Sequence, residues 1–173
     1  MLELKTISSQ GVPRAVAKAE RYRLLNEPQE AESICRDILA VDADNQEVLA
    51  MLLLSITDQF GRNADVGPSH ALRALARLRG DYERAYYAGV ISERWGKASL
   101  HGAGHHGLSA GFFHEAMASY QKAISLAPAG NDDAVLRWNA CVRFIEQDAD
   151  LGADSEEALT ESGFPDGAPA RVF

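Results

Sequence analysis

Glu115-Ala116-Met117-Ala118-Ser119-Tyr120-Gln121-Lys122-Ala123-Ile124-Ser125-Leu126-Ala127-Pro128 is the stretch that decides the fold. Ala116, Tyr120, Ala123 and Ile124 recur at the spacing of one helical face. Two of the four are alanine, so a neighbouring helix can approach closely there; larger side chains would push the pair apart. Tyr120 fills the space between the small residues. Pro128 stops the helix, because it cannot continue the hydrogen-bond ladder.

Working outward, a helix is expected over Gly111 to Leu126, paired with one over Tyr82 to Lys97 that Asp81 caps. The earlier helix mixes small Ala85, Ala88 and Gly89 with large Tyr86, Tyr87 and Trp95. A loop of about Ala98 to Ala110 joins the two. Further back, Val12 to Asn45 spans a unit of roughly 34 residues. Its first helix carries Ala15, Ala19 and Tyr22, and Asn26-Glu27-Pro28 turns the chain. Its second helix carries Ala31, Cys35, Ile38 and Leu39, with Pro28 in the first turn, where a missing N–H costs nothing. Between these units lie a Leu-rich helix, Gln46 to Thr57, and a second helix, Ser69 to Arg79. Leu49, Leu52, Leu53 and Ile56 form the stripe of one; Ala71, Leu72, Leu75 and Leu78 form that of the other. Ser69 reads as an N-cap. A last helix, Asn131 to Glu146, brings Val135, Leu136, Trp138, Cys141, Val142 and Ile145 and reads as a cap on the stack.

These positions resemble the tetratricopeptide repeat (TPR) family. Ala19, Tyr22, Ala31 and Ile38 match its pattern in kind, as do Ala116, Tyr120, Ala123, Ile124 and Pro128, while Ala43 stands where a proline is usual. The resemblance covers about Val12 to Glu146, and Tyr86 to Arg143 is also similar to uncharacterised bacterial repeat proteins. It implies an all-α fold: an α-α superhelix of about three helix pairs plus a C-terminal capping helix. Residues 1–148 would form this domain. Residues 149–173, acidic and rich in Gly and Pro, read as a loosely ordered tail with Phe164 and Phe173 as its anchors.

The bulk numbers agree with a binding protein that is soluble and cytoplasmic. The chain has 173 residues, a formal net charge of −8 and 46% hydrophobic residues, enough for one domain with a core. The negative charge disfavours nucleic acid and anionic membranes as partners. No apolar run is long enough to span a bilayer, and no cationic-then-apolar leader opens the chain. Cys35 and Cys141 are too far apart for a redox or zinc pair and read as buried free thiols.

Motifs for chemistry are weak. His101, His105 and His106 fall in the glycine-rich loop, with His114 following, and imidazole is a common metal ligand; Gly102 and Gly104 break the helix that would align them. A metal-linked accessory protein using these four histidines is the alternative function, and a self-associating scaffold a further one. Gly89 to Ser99 has the wrong glycine spacing for a phosphate loop. His114-Glu115 opens no zinc motif, Asp42 and Asp44 lack the glycine of a calcium loop, and no nucleophile elbow occurs. No catalytic residue and no cofactor is implied, and the chain reads as a non-enzyme.

In the family the first helix of each pair lines the concave face. By that resemblance Glu20, Arg23, Ala50, Leu54, Tyr86, Val90, Glu93, Asn139 and Arg143 lie near it. Charges at such places either pair between helices or face a ligand; Glu93, Arg94, Asp133, Arg137 and Arg143 leave both open. The expected partner groove is Tyr86, Tyr87, Glu93, Arg94, Asn139 and Arg143, which suits an extended peptide or helix of a protein partner. The carboxylate clamp of some family members is not matched, since Val16 stands where its Lys belongs.

Overall fold

Proline and asparagine mark where the helices begin, and small residues mark where they cross. The computed structural model describes residues 2–100 and 106–147. A 3-10 turn, Ser9–Gly11, leads into α1 (Val12–Leu24), α2 (Pro28–Val41), α3 (Gln46–Thr57), α4 (Pro68–Leu75), α5 (Asp81–Ser99), α6 (His106–Leu126) and α7 (Asp133–Gln147). All regular structure among the described residues is helical, so the fold is all-α. None of these helices is long and apolar enough to cross a membrane. Pro13, Pro28 and Pro68 each sit in a first turn. Asn45 caps α3, its Oδ1 accepting the Val48 N–H at 3.1 Å. Asn26 turns the chain between α1 and α2 with φ 62, a conformation asparagine tolerates better than most residues.

The helices pack mainly against their neighbours in sequence. Cross-links between alternate helices give their directions. Arg23, late in α1, pairs with Asp58, just past α3. Thr57 and Asp58 bond Arg94, late in α5. Tyr82, early in α5, meets Asn131 just before α7, and Lys97, late in α5, lies over the Phe144 ring late in α7. The first helices α1, α3, α5 and α7 therefore run the same way, and α2, α4 and α6 return between them.

The alanines of the repeat pattern are where close packing needs them: Ala19, Ala31, Ala116 and Ala123 are fully buried. Gly89 has a sharper reason, since a Cβ there would lie 2.5 Å from the Tyr120 ring. Around α1 to α4 the core is aliphatic, with Ile38, Val48, Leu49, Leu53 and Ile56. Around α5 to α7 it is aromatic and small, with Val90, Phe113, Ala116, Tyr120 and Cys141. Cys35 and Cys141 are free and buried, and burial pushes both thiols up to about 12.

Several boundaries differ from the sequence expectation. Helix α4 starts at Pro68, with Gly67 rather than Ser69 at the cap, and ends at Leu75. The turn after it is held by α3, because Gln46 Oε1 accepts the Arg79 N–H at 2.8 Å. Ala71, Ala74 and Leu78 face inward, and Leu72 is 48% exposed. Asp81 lies in the first turn of α5, with Gly80 as its cap. Helix α6 begins at His106 rather than Gly111, which shortens the preceding loop. On α7, Ala134 and Cys141 are the buried residues, while Val135 and Leu136 are exposed. The expected tail, residues 149–173, lies outside the described residues.

Candidate functional site

The face of the first helices is built around α5. Tyr82 and Tyr86, one turn apart, stack with ring centroids 5.9 Å apart, and Tyr87 meets Tyr86 edge-on at 5.1 Å. Tyr86 is half-buried and also leans on Tyr120 of α6; burial raises its phenol above the ordinary range. Tyr87 turns toward α3. There it lines a concavity of about 400 Å³ with Glu47, Ala50, Leu78 and Glu83. At the other end of the same two helices lies a second concavity of about 410 Å³, lined by Thr57, Asp58, Phe60, Arg62, Arg94 and Lys97.

An ionic chain joins the first helices. Arg94 Nη1 donates to Thr57 Oγ1 and Asp58 Oδ1, each at 2.6 Å, and to the Leu54 carbonyl at 3.2 Å. The other Asp58 oxygen accepts Arg23 Nε at 2.8 Å. Burial lowers the Arg94 guanidinium from its ordinary value, and Asp58 opposes that shift. One carboxylate thus ties α1, α3 and α5 at one end of the face.

Glu93, the next residue, is 0% exposed. Its Oε2 accepts the Tyr120 hydroxyl at 2.7 Å, its Oε1 accepts Lys97 Nζ at 2.6 Å, and Arg137 Nε of α7 lies 3.5 Å away. A buried carboxylate is tolerated only with such company, since its desolvation costs several kcal/mol. Burial, reinforced by Glu93, raises the Tyr120 phenol. Burial acts to lower Arg137, but Glu93 and the neighbouring phenols hold it above its ordinary value.

The two roles open to these charges now separate. Glu93, Arg94 and Arg137 make ion pairs between neighbouring helices, so Glu93 touches only its own protein. Arg94 does the same while forming part of the second concavity. Val90, expected on the face, is buried against Phe113 and Tyr120. Tyr87 and Ala50 line the first concavity, Asn139 is half-buried, and Arg143 and Glu20 are exposed. Glu83 and Arg62 line the two concavities and were missed by sequence reasoning; both are exposed charges on a surface full of them, which gives no signal.

His101 and His105 lie outside the described residues, as does the side chain of His106. His114 projects from α6, its Nε2 buried without a hydrogen-bond partner. It lines an apolar groove of about 540 Å³ between α6 and α7, with Met117, Trp138, Val142 and Ile145. No cluster of three or more His, Cys, Asp or Glu placed to hold a metal occurs among the described residues.

Comparison with protein-family models, with curated proteins and with solved structures finds no match.

Proposed function

We propose that this chain is a TPR-like adaptor or assembly factor, not an enzyme, and that it binds a peptide or helix of a protein partner along the face of α3 and α5. The observation that carries this reading is the pair of concavities at the two ends of those helices. Tyr87 and Ala50 give one an aromatic and small-residue wall, and Arg62, Arg94 and Asp58 give the other a charged one. A rigid aromatic beside a charged rim is a common way to anchor a peptide, because the ring offers area at little entropic cost. The burial of Ala19, Ala31, Ala116 and Ala123, together with the common direction of the first helices, supports the TPR-like part of the reading. Glu93 and Arg94 act in it as joints that hold the face in shape.

The test uses Ala50→Arg with Glu83→Arg, which fills the first concavity and reverses its rim charge without touching the core. Wild type and variant, both shown to be folded by circular dichroism, are used to capture partners from an extract of the source cells. A partner held by wild type and lost by the folded variant supports the reading. A partner held equally by both moves binding off this face.

A further inference from the structure

The two concavities on the α3–α5 face carry opposite charge. Glu47 and Glu83, both exposed, stand on the rim of the first, beside Tyr87 and Leu78. Arg79 is the sole cation among the described residues lining it, and it pairs with Asp44 at 2.6 Å. The lining therefore supplies no cation to either glutamate. Glu83 lies folded against Gly80, where a Cβ would collide with its carboxylate, so that charge is held at the rim.

The second concavity has the reverse surplus. Asp58 is the sole carboxylate among the described residues lining it, and Arg94 at 2.6 Å and Arg23 at 2.8 Å already share it. Lys97 pairs with buried Glu93 at 2.6 Å. Arg62, exposed, donates to the neutral Asn26 Oδ1 at 2.6 Å, so no carboxylate of the lining meets its charge. This cationic hollow stands on a chain whose formal net charge is −8.

The helices set the separation. Because α3 and α5 run the same way, Glu47 and Glu83 mark their first turns, and Thr57 and Arg94 lie toward their far ends. From Glu47 to Thr57 the face spans on the order of 15 Å at 1.5 Å per residue. Between the hollows α3 presents half-buried Ala50 and Leu54, one turn apart, and α5 presents half-buried Tyr87. Helix dipoles favour each sign where it stands, but their effect fades within a turn, and both surpluses still face solvent. Opposite surpluses at a fixed distance select a partner by its charge pattern, because a like charge at either end is repelled.

We propose that the partner segment is dipolar. A lysine or arginine enters the first hollow between Glu47 and Glu83, apolar residues cross Ala50 and Leu54, and an aspartate or glutamate meets Arg62 in the second. Tyr87, Ala50 and Leu78 take the methylene stem of the basic side chain, while its charged head stays between the carboxylates. In extended chain the two charged residues stand about five residues apart, at roughly 3.3 Å each. This pattern rests on the α3–α5 face being the partner site and adds what the partner carries there.

The probe is a phage-displayed library of random peptides of about twelve residues, longer than the face at that rise, selected on the immobilised wild-type chain. Enriched peptides are synthesised and titrated against three proteins. One is wild type, one carries Ala50→Trp, which fills the first hollow without adding charge, and one carries Glu47→Lys, Glu83→Lys and Arg62→Glu, all at exposed positions. Circular dichroism checks that each is folded. Peptides that lose binding to the Ala50→Trp chain are the face binders. They should carry one basic and one acidic residue about five apart in a constant order. They should bind the charge-reversed chain about tenfold more weakly, and recover when their own two charges are exchanged. Face binders without that pattern, or with unchanged affinity for the reversed chain, overturn the dipolar partner and leave the face as the partner site. A selection that yields no peptide sensitive to Ala50→Trp overturns both.

Discussion

The two halves of the molecule use one layout and differ in what is buried at their centres, since the Asp58 carboxylate that bridges α1, α3 and α5 is partly exposed and Glu93 is not. Around α1 to α4 the helices meet through aliphatic side chains, with Leu49, Leu53 and Ile38 fully buried. Around α5 to α7 they meet through a buried carboxylate, with Tyr120, Lys97 and Arg137 converging on Glu93 from α6, α5 and α7. Dispersion and area burial are non-directional, so the first half tolerates changes that keep volume. A shared carboxylate is directional. It fixes the rotation of three helices at once, and it makes the second half sensitive to one residue.

The largest expected effect compares one residue from each half. Glu93→Ala removes the acceptor of the buried Tyr120 hydroxyl and the carboxylate that Lys97 and Arg137 share, and should cost about 1–3 kcal/mol. Leu53→Ala opens a cavity and should cost about 2–5 kcal/mol. Urea denaturation measures both. The contrast lies in rescue: Leu53→Met should recover most of the stability, while Glu93→Met should not, because the buried Tyr120 hydroxyl loses the carboxylate that accepts its hydrogen bond. Equal rescue at the two sites would erase the distinction between the halves.

Next in size is Gly89→Ala. Its Cβ would meet the Tyr120 ring at 2.5 Å, forcing that ring and its bond to Glu93 to shift, at about 1–3 kcal/mol. A neutral result would mean that the α5–α6 seam has slack.

The smallest is a pH effect. Tyr82, Tyr86, Tyr87 and Tyr120 are raised from 10.0, and both cysteines are raised from 9.0 to about 12. These groups keep their protons in the folded state at pH values where the unfolded chain has lost them. Their contribution is complete below pH 9 and is lost as pH rises toward 12, beginning with roughly 1 kcal/mol per thiol over the first unit. All four tyrosines and Cys141 are on α5 to α7, so amides there should lose exchange protection before those of α3. Simultaneous loss would contradict the division.

Much of the first half could be read directly from the sequence. Leu49, Leu52, Leu53 and Ile56 repeat at a helical interval, and Asn45 and Pro28 announce their helix starts, so periodicity and capping alone place α2 and α3. Leu72 was misread because its hydropathy is high, yet the face of α4 that packs inward is that of Ala71 and Ala74; the end of α4 was misread because Gln46 of a different helix captures the Arg79 N–H, a contact that no local pattern encodes. Val135 and Leu136 read as core because their hydropathy is high, yet both are exposed, and the buried residues of α7 are Ala134 and Cys141. The candidate site was less legible. Glu93 and Arg94 stood out as charges among core-like positions, but whether they face a ligand or each other's helices depends on where Asp58, Tyr120 and Arg137 arrive in space. The α6–α7 groove was missed because Met117, Trp138 and Ile145 look like ordinary core residues until the packing of α6 against α7 is seen to leave an open groove between them.

The central claim is that the α3–α5 face, shaped by the Asp58 and Glu93 ionic joints, is where a partner sits. Site-specific photo-crosslinking tests it most directly. A photoreactive residue replaces Ala50 on this face in one chain, and Arg36, exposed on α2, in another. Both are irradiated in an extract of the source cells. The account predicts a discrete adduct from position 50 and none from position 36. An adduct from position 36 alone, or from neither, would contradict it.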